Sequence, residues 1–191
     1  MAVSIVTKNI YIVRHCKALG QSSESKLSEQ GFKQAQYLPE FFSNIKVDRI
    51  ISSPFLRAIQ SAKPISKNKK IQIEIDNRLS ERVLSIANLP DWFEKLKATF
   101  DDVKLKYEGG ESSQEAMNRI AEVMDSVLTS EPENTIIVTH GNLMSLLLMK
   151  YNKEFGFECW KNLSNPDVFL LSNISNTKNN ISIERIWKEN V

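Results

Sequence analysis

Three observations predict an α/β fold for this 191-residue chain. Short apolar runs alternate with stretches whose apolar residues recur at helix spacing, giving strand, helix, strand, helix, strand in order. The first strand-like run ends in charge and passes into a polar stretch. The only two histidines close two of these runs, His15 ending NIYIVRH and His140 ending NTIIVTH. Ligands of open α/β sheets bind outside the carboxyl ends of the strands. Arg14 precedes one histidine, and Gly141 follows the other, where it would let the backbone turn sharply into a helix. Two imidazoles, an arginine and such a turn can converge on one anion.

NIYIVR reads as the first strand and KALGQSSESK as the loop after it. Ser28 opens a helix expected over 28 to 43, its apolar positions being Phe32, Ala35, Leu38, Phe41 and Phe42, with Pro39 arguing for a kink. DRIISS is a second strand, and Pro54 suits the first turn of a helix through Leu56, Ala58, Ile59 and Ala62, which places Arg57 near its start. IQIEID alternates as a third strand. The segment from about 76 to 110 has mixed character, with one amphipathic stretch around Trp92 to Phe100, and reads as an excursion over the sheet edge. From Glu111 the pattern is helical again through Met117, Ile120, Val123, Met124 and Val127. TIIVTH follows as a strand and NLMSLLLMKYN as an apolar helix. DVFLLSNIS and NNISIERIW close the chain as a hairpin around an Asn-rich turn.

With 41% hydrophobic residues and no repeat or linker, the chain is expected to form one domain, residues 1–191, with a sizeable core. Its 25 basic and 23 acidic residues leave a charge of +2, too small to imply nucleic acid or a membrane surface as partner. The longest apolar run, LMSLLLM, falls far short of the ~18 residues of a membrane span. The start MAVSIVTKNIY lacks a signal-peptide core, and Cys16 and Cys159 form no CxxC motif or metal-ligand pair. The expectation is a reduced, cytoplasmic protein without a metal or cofactor. No interface signature fixes an oligomeric state.

Six segments, in order and over nearly the whole chain, resemble the histidine phosphatase superfamily, which also contains the phosphoglycerate mutases. They are IYIVRH, LSEQGFKQAQ, SSPFLRAIQSA, RLSER, GGES and VTHGN. The resemblance implies a three-layer αβα sandwich, a mixed, mostly parallel sheet with helices on both faces, the site above the strand ends, and a small lid from the excursion. It also implies a phosphomonoester as substrate, His15 as nucleophile, Arg14, Arg57 and His140 as the phosphate pocket, and Glu81 as general acid and then base.

That chemistry suits the residue types. A neutral imidazole attacks a phosphate dianion without the charge repulsion that an anionic nucleophile meets. Arginine forks match phosphate oxygens and stabilise their charge in the transition state, which removes the need for a metal. Each residue also has a plainer reading: a strand-end histidine can be structural, Arg57 a solvated helix arginine, Arg14 an outward-snorkelling charge, and Glu81 a solvent-facing residue of a charged segment. The loop departs from the family pattern, reading CKALGQSSES; Lys17, Gln21, Ser22 or Ser23 could contact phosphate or simply be solvated. A cysteine phosphatase would need an arginine where Ser22 stands, so Cys16 reads as a small buried residue. Hydrolysis is favoured because the excursion is modest, and VLSIANLPDW departs from the glycine-rich continuation of the mutases. Phosphoryl transfer as in the mutases, or a noncatalytic phosphate-binding module on the same fold, are the alternatives. Leu84, Ile86, Leu89, Trp92 and Phe93 could face a substrate or pack in the core.

Overall fold

The computed structural model describes residues 7–173 and 181–188. Its centre is β1 (Lys8–Arg14), which pairs in parallel with β4 (Asn134–Thr139) and antiparallel with β5 (Asp167–Asn173). β2 (Arg49–Ser52) and β3 (Ile73–Ile75) extend the sheet in parallel beyond β4, and β6 (Ile181–Arg185) lies antiparallel beyond β5. The order is β3-β2-β4-β1-β5-β6. The central strands are apolar throughout because both faces are covered, as buried strands require. Ile10, Ile12, Ile51 and Ile137 point into one core, while Tyr11, Val13, Ile50, Ile136 and Val138 point into the other.

The second core is roofed by α1 (Glu29–Phe41) and α2 (Leu56–Lys69), the first by α3 (Trp92–Asp101), α4 (Ser113–Thr129), α5 (Gly141–Tyr151) and α6 (Phe157–Lys161). This is the three-layer α/β sandwich with a mixed, mostly parallel sheet. Its consequence for function is local. β1 and β4 are neighbours, yet the chain leaves β1 toward the α1 face and leaves β4 toward the α5 face. The two exits diverge and open a crevice at the strand ends, the switch point where α/β sheets take ligands.

Local chemistry explains the boundaries. Ser28 caps α1, its Oγ accepting the Gly31 N–H at 3.0 Å. A Cβ on Gly31 would collide with the Lys17 carbonyl, so glycine lets α1 seat directly on the loop after β1. Phe32 was expected on the buried stripe but is 43% exposed; Ala35, Leu38 and Phe42 carry the packing. α2 starts at Leu56 rather than Pro54, because Phe55 is extended and gives its N–H to Ser53 Oγ, and Arg57 still lies in the first turn. The strand expected over IQIEID pairs only through Ile73–Ile75, since Asp76 turns away to cap a single 3-10 turn, Asn77–Leu79, through the Arg78 N–H. A capping box, Ser112 with Glu115, starts α4 at Ser113, two residues after Glu111. Leu96 and Phe100 of α3 enter the α5-side core, where Phe93 and Phe100 meet the ring of Phe157. The short α6 had no sequence signal. The closing strands pair as expected, while their Asn-rich turn, 174–180, lies outside the described residues.

Candidate active site

His15 follows β1 immediately, and its N–H extends the parallel ladder to the Thr139 carbonyl at 3.0 Å. Its Nδ1 lies 2.7 Å from the Cys16 carbonyl, which can only accept, so Nδ1 carries the proton. Its Nε2 receives the Nε–H of Arg57 at 3.2 Å and therefore exposes a lone pair. Burial pushes the His15 pKa down to about 3, with the Arg57 and Arg14 charges adding to the fall and the Cys16 carbonyl opposing it. The imidazole is thus neutral, and its attacking nitrogen is Nε2. The segment is pinned from both sides: Asn165 Nδ2 donates to the His15 carbonyl at 2.7 Å, and the Cys16 N–H donates to Ser61 Oγ at 2.9 Å.

Arg57 is 1% exposed and no solvated helix residue. It donates from Nη1 to the Ser22 carbonyl at 2.6 Å and lies over the Phe55 ring at 4.9 Å. Arg14 does not snorkel outward either; Nη1 donates to the carbonyls of Leu163 and Ser164, at 2.9 and 3.3 Å. Its buried Nε has no partner among the described residues. Burial lowers the pKa of both guanidiniums, and the Glu81 charge counteracts it. Gly141 favours close packing rather than the sharp turn that was expected of it. Its φ is not in the left-handed region, but a Cβ there would sit 3.0 Å from Arg14 Nε, so the missing side chain makes room for the guanidinium.

His140 ends β4, fully buried, its ring 5.2 Å from that of His15 and 4.8 Å from Phe55. Its Nε2 pairs with Ser53 Oγ at 2.7 Å, and Nδ1 has no partner among the described residues. Burial, with the charges of Arg57, Arg119 and Arg14 adding to it, holds its pKa well below the ordinary histidine value. Glu81 arrives on the chain after the 3-10 turn, whose Leu79 carbonyl is gripped by Thr139 Oγ1 at 2.9 Å. It does not face solvent freely. Oε1 accepts the N–H groups of Leu143 (3.0 Å) and Arg82 (2.9 Å), and Oε2 accepts that of Asn142 (3.1 Å). The carboxylate thus caps the N-terminus of α5, where helix dipole and orphan N–H groups favour an anion.

All five candidate residues therefore gather at the β1/β4 crevice. The loop candidates contribute differently: Ser22 offers its carbonyl to Arg57, while Lys17 turns its ammonium to Gln30 Oε1 on α1 at 2.9 Å. Cys16 is fully buried, and burial pushes its thiol up to about 12, so it is a packing residue. Four site residues were not singled out from sequence: Ser53, Ser61, Asn142 and Asn165. The first three stand inside the motif segments SSPFLRAIQSA and VTHGN, which is the signal that could have found them. Asn142 is nearly buried with neither amide atom partnered among the described residues. Asn165 stands in a stretch with no motif. No group of three or more His, Cys, Asp or Glu side chains among the described residues is arranged to hold a metal ion, and no described helix is long and apolar enough to cross a membrane.

Known proteins resemble this chain in sequence and fold. A Hydrogenobacter thermophilus protein provisionally named phosphoserine phosphatase 2 is 31% identical over 156 residues, 74% of this chain and 77% of that protein. A mycobacterial glucosyl-3-phosphoglycerate phosphatase has the same fold, with a TM-score of 0.75 at 21% identity over 94% of this chain and 97% of the other. The phosphoglycerate mutase of Bacillus anthracis superposes with a TM-score of 0.73 at 17% identity, covering 94% and 92%. The sequence model of the histidine phosphatase superfamily, branch 1, matches residues 10–186, and the chain belongs to that superfamily.

Proposed function

We propose that this chain hydrolyses small phosphomonoesters through a phosphohistidine on His15. The observation that carries the reading is the state of that imidazole: neutral, proton fixed on Nδ1 by the Cys16 carbonyl, Nε2 lone pair held against the Arg57 guanidinium. An incoming phosphoryl oxygen takes over the Arg57 Nε–H, with Arg14 and His140 supplying further donors. Nε2 then gives its electron pair to phosphorus as the bond to the leaving oxygen breaks, and that oxygen takes a proton from the carboxylic-acid form of Glu81, leaving the carboxylate. The Cys16 carbonyl supports the positive charge that develops on the ring. Water next attacks phosphorus and gives its proton to Glu81, the N–P bond returns its pair to Nε2, and orthophosphate leaves. Three N–H donors occupy three of the roughly four acceptor positions on Glu81, leaving one on Oε2 for the proton it exchanges.

In this scheme the charge neutralisation belongs to Arg14 and Arg57, without a metal. The name of the Hydrogenobacter relative makes phosphoserine the first substrate to screen. The two unpaired cysteines agree with a cytoplasmic, reducing setting.

Hydrolysis of p-nitrophenyl phosphate in the presence of a chelator, by wild type and His15→Ala, tests the proposal. The variant should lose about 10³-fold or more of kcat/KM with its circular dichroism unchanged. Turnover retained by the variant, or wild-type activity abolished by the chelator, overturns it. Isomerisation of 3-phosphoglycerate in place of hydrolysis would replace it with the mutase reading.

A further inference from the structure

Ser53 is fully buried, so the partners of its hydroxyl constrain where the nearby protons sit. Its backbone is fixed by a bond from its N–H to the Val138 carbonyl at 2.9 Å, one step beyond the β2–β4 ladder. Its Oγ accepts the Phe55 N–H at 3.2 Å and sits 2.7 Å from His140 Nε2. A serine hydroxyl has one proton to donate. Among the described residues the only acceptor recorded for it is His140 Nε2. Were Nε2 protonated instead, the Ser53 O–H would be buried without an acceptor, and the Nδ1 lone pair would be turned on the oxygens of a bound phosphate. Both costs vanish when Ser53 donates to Nε2 and the imidazole proton sits on Nδ1. The doubly protonated ring is disfavoured by burial beside the charges of Arg57 and Arg14.

We infer that Ser53 is the positioning residue that holds His140 in its Nδ1–H tautomer, so that the otherwise unpartnered Nδ1–H serves as a hydrogen-bond donor to the transferring phosphoryl group. Ser53 acts through His140 and touches no reacting atom. Phe55 supports the arrangement twice, since its N–H orients the hydroxyl and its ring packs against both His140 and the Arg57 guanidinium. The two imidazoles of the site then share one tautomer and show opposite faces to phosphate, His15 a lone pair and His140 a proton. The inference rests on the phosphatase reading, but its principal readout needs no turnover.

Because His15 and His140 are the only histidines, long-range proton–nitrogen NMR of the ¹⁵N-labelled protein resolves both rings without crowding. Wild type should show both as Nδ1–H. Ser53→Ala should move His140 toward Nε2–H while leaving His15 unchanged. It should also lower kcat/KM about 10²-fold, the lower end of the range for loss of one preorganised donor, and weaken vanadate more than phosphate as an inhibitor. Ser53→Thr, which keeps the hydroxyl, should keep the tautomer, and it guards against reading a packing defect as a proton effect. An Nε2–H tautomer of His140 in wild type overturns the inference. So does an unchanged His140 tautomer in Ser53→Ala at any level of activity, and a switched tautomer with unchanged kcat/KM removes its functional half. A wild type that hydrolyses no phosphomonoester would break the phosphatase reading instead, leaving the tautomers to be judged by themselves.

Discussion

His15 and His140 end adjacent parallel strands in one register: Arg14 pairs with Thr139, and each histidine is the next residue. Their sequences, IYIVRH and TIIVTH, are nearly interchangeable as patterns. Their hydrogen bonds separate them. The His15 ring is held at Nδ1 by a backbone carbonyl, leaving Nε2 toward Arg57, whereas His140 is held at Nε2 by a serine hydroxyl, leaving Nδ1 open. The residue type brings an imidazole to the crevice, but the partner on the other nitrogen decides whether it offers an electron pair or a proton. That is the usual logic by which second partners set histidine tautomers.

The largest effect that can break this contrast is a comparison of His15→Ala with His140→Ala. In acid-stable versus acid-labile phosphate assays on rapidly quenched enzyme, His15→Ala should form no phosphoenzyme. His140→Ala should still form it, with kcat/KM down about 10²- to 10³-fold, the cost of one transition-state donor. Phosphoenzyme appearing in His15→Ala but not in His140→Ala would exchange the two roles.

Glu81 sharpens the contrast next, because it is bound to the His140 side of the crevice, through the N–H groups of Asn142 and Leu143. If it protonates the leaving oxygen, Glu81→Gln should cost about 10²- to 10⁴-fold on an alkyl phosphate, the usual range for general acid catalysis. On p-nitrophenyl phosphate, whose leaving group needs little help, the first step should be nearly spared. Equal losses on both substrates would show that the side chain serves mainly to cap α5.

Much of this was legible in the sequence, for identifiable reasons. The central strands and α4 are buried along whole faces, so their hydrophobic spacing is strong; β3 is a three-residue edge strand with little burial, and its pairing was overestimated. Arg14, His15, Arg57 and His140 could be located because each lies at the end of a strand or the start of a helix, where local pattern fixes position. Glu81 follows an irregular segment and was reached only through family resemblance. Asn165 acts through a contact spanning 150 residues of sequence, which no local signal encodes, and Ser53, although inside the SSPFLRAIQSA segment, acts through one spanning 87. The cause of Gly141 was misread for the same reason, because the atom it makes room for belongs to Arg14, on the neighbouring strand.

The smallest effect is thermodynamic, and it tests whether both rings are neutral in the folded protein. Burial and the neighbouring arginines lower the folded-state pKa of His15 to about 3, against about 6.5 in an unfolded chain, and that of His140 falls in the same direction. The unfolded state therefore binds protons that the folded state refuses. Stability from this source is fully present above pH 6.5 and is lost as pH falls from there toward 3, at about 1.4 kcal/mol per pH unit for each fully shifted histidine. Urea unfolding between pH 7.5 and 5 should give the steepest acid loss in wild type, a shallower one in either single alanine variant, and the shallowest in the double variant. Carboxylate titrations add a common background that cancels in these differences. Parallel curves for His15→Ala and wild type would mean that His15 takes up its proton in the folded state as readily as in the unfolded chain, and below about pH 6.5 a cationic ring has no lone pair with which to attack phosphorus.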